Sequence, residues 1–116
     1  MNIHQWDIFR VSVKDGIDTT IIHPHVVIQD DTITQSRIET VVVCALSTNM
    51  KRVNDFWNIL LEPGEANLPK HSIIIVSQIS TVQKAELGEY IGTLSKDRID
   101  QIFAEMKLVQ KMSKKD

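Results

Sequence analysis

The fold is decided by an almost continuously apolar stretch in the middle of the chain, Thr40-Val41-Val42-Val43-Cys44-Ala45-Leu46. β-Branched residues favour strands, and a strand without a polar face is typical of one that is covered on both sides. The stretch therefore predicts a central strand of a sheet. Cys44 is the only cysteine. It has no disulfide partner within the chain, and we expect it to behave as a small buried hydrophobe in a reducing compartment.

Four shorter stretches around this strand also favour strands: residues 7–13, 25–29, 56–61 and 72–79. The first alternates, with Phe9, Val11 and Val13 on one face. Pro63 and Gly64 separate the last two stretches and fit a turn better than a ladder. These patterns predict a β-meander or a small barrel.

Only the C-terminal segment has a helical period, because its apolar residues recur at steps of three and four: Ile99, Ile102, Phe103, Met106 and Val109. Ser95 is a plausible N-cap, and Asp97 in the first turn suits the helix dipole. The sequence predicts one helix here, packed against the strands or against a second subunit.

The composition is that of a globular protein, with 42% hydrophobic and 24% charged residues in 116. This length predicts a single domain over residues 1–116. No segment has the apolar core of a signal peptide or a membrane span, so we expect a cytoplasmic protein. A formal net charge of −2 gives no general attraction to nucleic acid. Any such binding needs a local basic groove.

Five blocks along the chain carry a family resemblance, and the longest is LPKHSIIIVSQISTVQK at residues 68–84. It resembles the MazF/PemK pattern in which a turn leads into an apolar strand that ends in Gln-Ile. The other blocks follow the order of the family: DIF at 7–9, HPHVVIQDD at 23–31, VVVCALST at 41–48 and YIGTLS at 90–95. Together they span most of the chain, which is identified as a member of this toxin family.

The resemblance implies a mainly β, SH3-like (MazF/CcdB-like) small barrel with a C-terminal helix, assembled as a homodimer. It also implies the toxin of a type II toxin-antitoxin system. Such toxins are metal-independent, sequence-selective endoribonucleases that cleave single-stranded RNA (mRNA interferases) and are neutralised by an antitoxin protein. No cofactor and no membrane partner are implied, and DNA is contacted only indirectly, through the antitoxin complex.

The resemblance places the catalytic residues at His23 and Ser47, where the family has arginine and threonine. Pro24 and Gln78 match the family pattern unchanged, and Gln78 is expected to hydrogen-bond RNA or the site. Histidine changes its charge near neutral pH, so it is a better proton shuttle than arginine but a poorer bidentate phosphate clamp. We therefore expect His23 to be the main acid/base, with Ser47 orienting the phosphate through its hydroxyl.

Further substrate contacts are expected from the neighbours of these residues. Thr48 can substitute for the Ser47 hydroxyl, and Lys70 is a candidate for a phosphate contact. His25 lies on the same side of an extended strand as His23 and could complete an acid/base pair. The histidines show no metal-ligand spacing, so no metal site is predicted.

Two other functions stay open from the sequence. Without the family's arginine, a CcdB-like toxin that binds a protein target instead of cleaving RNA is conceivable, because a shared fold does not determine function. A plain SH3-like interaction module is disfavoured, since its peptide groove needs clustered aromatic residues and only 5% of this chain is aromatic. Trp57 could stack on bases, although a tryptophan in an apolar strand more often fills a core or an interface.

Overall fold

The computed structural model describes residues 2–14, 20–55 and 57–113. It contains six strands: β1 (Asp7–Lys14), β2 (Thr20–Val27), β3 (Thr40–Ser47), β4 (Ile59–Leu61), β5 (Ser72–Gln83) and β6 (Leu87–Thr93). A one-turn helix, α1 (Asp31–Thr34), precedes β3, and an 18-residue helix, α2 (Lys96–Ser113), ends the described chain. Within these ranges, neither helix combines the length and the apolar character that a span across a bilayer requires.

The strands form one antiparallel sheet in the order β4-β5-β3-β2-β1-β6, and the sheet is curled into a half-barrel. The predicted class, a mainly β barrel-like fold with a C-terminal helix, is confirmed. The apolar strand β3 lies inside the sheet between β5 and β2, which confirms its central position. Both faces of β3 are covered, since its residues contribute to both cores of the molecule. This agrees with its lack of a polar face.

Adjacent residues of the inner strands point to opposite faces of the sheet and fill two separate cores. The helix-side core contains, among others, Ile8, Val26, Cys44, Leu46, Ile74 and Ile102. The far-side core consists of Ile3, Phe9, Val11, Val27, Val41, Val43 and Leu87. Cys44 is fully buried, its thiol donates to the carbonyl of Ile75 at 3.1 Å, and burial raises its pKa to about 12. The expectation of a buried, hydrophobe-like cysteine is confirmed.

Helix α2 closes the helix-side core with the predicted stripe. Ile102 is fully buried, and burial of such a side chain is worth about 2 kcal/mol. Ile99, Met106 and Val109 pack around the core, whereas Phe103 is half exposed and sets its ring edge against Trp6. The hydroxyl of Ser95 accepts a bond from the amide of Arg98 at 3.4 Å, as an N-cap does.

The predicted bounds of β2 were wrong at both ends, because the strand begins at Thr20 and stops at Val27 instead of Gln29. The Gln29 side chain is buried and donates to the Thr34 hydroxyl of α1 at 3.0 Å. Asp30 caps the same helix by accepting from the amide of Thr32. These two side-chain bonds turn the backbone out of the sheet.

Strand β4 is shorter than predicted and begins only at Ile59, while Phe56 lies outside the described residues. Trp57 stands in the preceding turn and packs against the helix-side core, in agreement with its expected core role. Strand β5 is longer than predicted and continues to Gln83, because its second half pairs with the first half of β3, from Val43–Ser80 to Thr40–Gln83. The turn expected at Pro63 and Gly64 is present.

A bidentate ion pair connects α2 to the 3-10 turn Glu65–Asn67. The Nε and Nη2 atoms of Arg98 donate to the two carboxylate oxygens of Glu65 at 2.8 and 2.9 Å. These hydrogen bonds lower the pKa of the Glu65 carboxyl below its ordinary value. Paired charges of this geometry are stronger than single surface contacts. The ion pair therefore connects helix α2 to a turn that also contacts β6.

We expect Glu65→Gln to lower the free energy of unfolding by about 1 kcal/mol at pH 7. Because the folded carboxyl has the lower pKa, its contribution is present above the pKa of the unfolded chain and is lost as the pH falls through the folded value. Urea unfolding at pH 7 and at about pH 3 measures this, and the difference between wild type and variant should be smaller at the acidic value. The exposed Asp100→Asn on α2 is the control. A difference that does not depend on pH would contradict the prediction.

Candidate active site

A cleft of about 390 Å³ opens where β1, β2 and β3 meet the loop before β5. It contains most of the residues that the sequence singled out: His23, Pro24, Ser47, Thr48 and Lys70. Its remaining lining residues are Arg10, Ile22, Leu46, Pro69 and Ser72. We call this site the His23 cleft.

The cleft exists because the ladder between β2 and β3 stops early. The pair nearest the cleft is His25 with Ala45, and Pro24, the residue before His25, has no partner on β3. Proline has no N–H to donate, so the strands lose a ladder bond at this point. Residues 23–24 of β2 and 46–47 of β3 are therefore not paired with each other. On the other side, β1 continues alongside β2 and places Arg10 directly opposite Pro24.

The His23 side chain is exposed, and its backbone is held by His25. The Nδ1 atom of His25 lies 3.1 Å from the His23 carbonyl oxygen, which can only accept, so Nδ1 carries the proton. Burial lowers the pKa of the His25 imidazole. His25 is therefore neutral at pH 7, and it is not among the residues that line the cleft.

The Ser47 hydroxyl ends β3 in a local turn. Its oxygen accepts a hydrogen bond from the amide of Asn49 at 3.0 Å. A hydroxyl that accepts from an amide still has its own proton to donate. The same side chain can therefore shape the turn and donate to a ligand oxygen in the cleft. Thr48 follows with an exposed hydroxyl.

The lining of the cleft combines positive and apolar groups. Arg10 and Lys70 supply cations beside His23, and the described lining residues include no carboxylate. Ile22 is 57% exposed and stands on the same surface as Pro24 and Pro69. A chain with a net charge of −2 thus has a local surface that is both positively charged and partly apolar.

Gln78 is not brought into the cleft. It lies exposed on β5 between the pairs Leu46–Ile74 and Cys44–Ile79, where β5 has extra residues relative to β3. Sequence reasoning also missed Arg10 and Ser72 as lining residues. The alternation along β1 places Arg10 on the face of Ile8, but only the pairing of β1 with β2 brings it to Pro24.

In the described parts of the chain, no three or more His, Cys, Asp or Glu side chains are grouped so that they could hold a metal ion. The described residues of the His23 cleft offer imidazole, hydroxyl, ammonium and guanidinium groups.

Comparisons with known proteins place this geometry in a family. A sequence model described as PemK-like, MazF-like toxin of type II toxin-antitoxin system matches residues 4–109. Endoribonuclease MazF2 of Mycobacterium bovis and endoribonuclease MazF6 of Mycobacterium tuberculosis are each 30% identical over 69 residues. The matched stretch covers 60% of this chain and 60% of the length of each of these relatives.

Solved structures with low sequence identity share the fold. An endoribonuclease in complex with its cognate antitoxin from a mycobacterial species superposes with a TM-score of 0.76 at 17% identity, over 94% of this chain and 95% of that one. MazE-MazF from Deinococcus radiodurans gives 0.76 at 9% identity, over 94% and 96%. Because the family match extends from residue 4 to residue 109, the chain belongs to the PemK-like, MazF-like toxins of type II toxin-antitoxin systems.

Proposed function

We propose that this chain is the toxin of a type II toxin-antitoxin pair and a metal-independent, sequence-selective endoribonuclease that cleaves single-stranded RNA in the His23 cleft. One observation carries the proposal: an exposed imidazole, three hydroxyls and two cations line one cleft, and none of its described lining residues is a carboxylate. The curated relatives that match the chain are named endoribonucleases, which supports the same reading. The proposal takes residues 1–116 as a single toxin domain.

In the proposed reaction, the ribose 2′-oxygen attacks the adjacent phosphorus and the bond to the 5′-oxygen breaks. The neutral His23 ring takes the 2′-hydroxyl proton, and the resulting imidazolium gives a proton to the departing 5′-oxygen. The products are a 2′,3′-cyclic phosphate and a 5′-hydroxyl, and the imidazole returns to its neutral form. No water or metal is consumed in this step.

The other residues bind the RNA or position His23. The hydroxyls of Ser47 and Thr48 donate to the phosphate oxygens, and Lys70 offsets their charge. Ile22, Pro24 and Pro69 offer an apolar surface for a ribose or an unstacked base. His25 acts as a positioning residue through its bond to the His23 carbonyl. Gln78 is exposed outside the cleft, so any contact it makes is with RNA beyond the cleaved bond.

The proposed partners follow the family. Relatives have been solved with an antitoxin, including the MazE-MazF complex of Deinococcus radiodurans. We propose that this chain likewise binds an antitoxin protein, forms a homodimer, and acts in the cytoplasm without a membrane partner. DNA would be contacted only indirectly, through the antitoxin complex.

The proposal is tested by incubating the purified protein with a long single-stranded RNA in excess EDTA. We expect discrete cuts at a recurring sequence, with 5′-hydroxyl and 2′,3′-cyclic phosphate ends. Ser47→Thr, which keeps the hydroxyl, should retain cleavage, while Ser47→Ala should reduce it. Absence of cleavage by the wild-type protein would overturn the nuclease and favour a toxin that binds a protein target.

A further inference from the structure

Arg10 enters the His23 cleft from β1. It lies opposite Pro24 in the β1–β2 pairing, and it lines the cleft together with His23, Ser47 and Lys70. Its side chain is 44% exposed and therefore accessible from solvent, while its backbone is part of strand β1.

Among the described residues, one ion pair orients this guanidinium. The Nε atom of Arg10 donates to Oε1 of Glu89 on β6 at 3.1 Å. A guanidinium carries five N–H donors, and this bond uses the one on Nε. The N–H groups on Nη1 and Nη2 form the planar fork that matches two oxygens of a phosphate.

The other basic side chains that line the cleft, Lys70 and His23, do not have a planar fork of N–H donors. Lys70 ends in a compact ammonium, which interacts with phosphate as a point charge. His23 stands where the resembled family has an arginine, and an imidazole lacks the bidentate geometry. Among the described residues that line the cleft, Arg10 contributes the only guanidinium.

We propose that Arg10 is a substrate-binding residue that clamps a phosphate of the RNA beside His23. The neighbouring strand β1 thereby supplies the bidentate contact, while His23 in β2 handles the protons. This inference rests on the proposed function for the identity of the ligand as RNA. The anion-binding role itself depends only on the cleft.

Binding is measured separately from cleavage with a fluorescent, fully 2′-O-methylated oligonucleotide, which has no 2′-hydroxyl to react. Arg10→Ala should weaken its affinity by about 10- to 100-fold, the usual effect of losing a hydrogen-bonded charge. The slope of log affinity against log salt should also become shallower by roughly 0.7, the value for one single-strand phosphate. Arg10→Lys should restore part of the affinity at most.

The matched control is Arg37→Ala, which removes the same charge from the turn before β3, at the end of that strand away from Ser47. It should change the affinity by less than about threefold, because exposed distant charges are screened by salt. Thermal unfolding of both variants checks that the fold is intact.

The outcomes separate the two proposals. If the wild type cleaves RNA but Arg10→Ala binds the oligonucleotide as tightly as wild type, the role of Arg10 is overturned and the nuclease stands. If the wild type does not cleave but Arg10→Ala still loses affinity, the nuclease is overturned and the phosphate clamp is supported. If Arg10→Ala and Arg37→Ala lose affinity equally, the loss reflects the net charge of the protein and the phosphate clamp is overturned.

Discussion

Replacing His23 by alanine should lower the rate of RNA cleavage by at least about 100-fold, because a positioned acid/base typically contributes that much or more. Among the described residues that line the His23 cleft, His23 supplies the only imidazole. His25 is buried outside this lining, and its Nδ1 donates to the His23 carbonyl. Affinity for an unreactive RNA analogue should fall far less than the rate.

The measurement compares cleavage rates of wild type, His23→Ala and His71→Ala, purified in parallel so that contaminating nucleases are shared. His71 is a matched control because it is also exposed and lies outside the cleft, 2.9 Å from the Glu62 carboxylate. His71→Ala should cleave at the wild-type rate. Cleavage by His23→Ala within about threefold of wild type would remove His23 from the mechanism.

Gly92→Ala should be the most damaging small change to the fold, costing about 3 kcal/mol or more. A Cβ atom at this position would lie 2.1 Å from the backbone oxygen of Ala66, which is far inside van der Waals contact. Ala66 belongs to the 3-10 turn Glu65–Asn67, and this turn is fixed on both sides. Asn67 donates to the Ile91 carbonyl at 3.1 Å, and Glu65 is held by Arg98. The turn therefore has little freedom to move away from the added methyl group.

Thermal unfolding measures this effect, with an expected decrease in melting temperature of roughly 10 °C. Gly88→Ala on the same strand is the control, since its Cβ would stand 3.1 Å from the Arg10 oxygen and needs only a small shift. Equal melting temperatures for the two variants would show that close approach to Ala66 is not what requires glycine at position 92.

The sequence predicted those elements whose signal is contained in one strand or helix. Strand β3 and helix α2 have patterns that need no knowledge of their neighbours. Strand β6 was not predicted as a strand, because Gly88, Glu89 and Tyr90 are exposed and interrupt any alternation. Its strand conformation is stabilised by the ladder with β1, which includes register shifts, and not by the strand propensity of its own residues.

The residues of the candidate site likewise fall into those that the sequence predicted and those that only the structure shows. His23 and Ser47 were indicated by resemblance to family motifs, and the curled sheet brings both to one cleft. Arg10 could not be found along the chain, because its place beside Pro24 depends on the non-local register of β1 and β2. Gln78 has a matching motif, but the extra residues of β5 keep it out of the cleft.

The two cores share strands β1, β2 and β3, since neighbouring residues such as Val26 and Val27, or Val43 and Cys44, belong to different cores. Any opening that separates these three strands from one another therefore exposes both cores at once. We expect the amide protons in the middle of β1, β2 and β3 to exchange with solvent more slowly than those of the edge strands β4 and β6. Because Arg10, His23 and Ser47 lie on these same three strands, such an opening would also take the cleft apart.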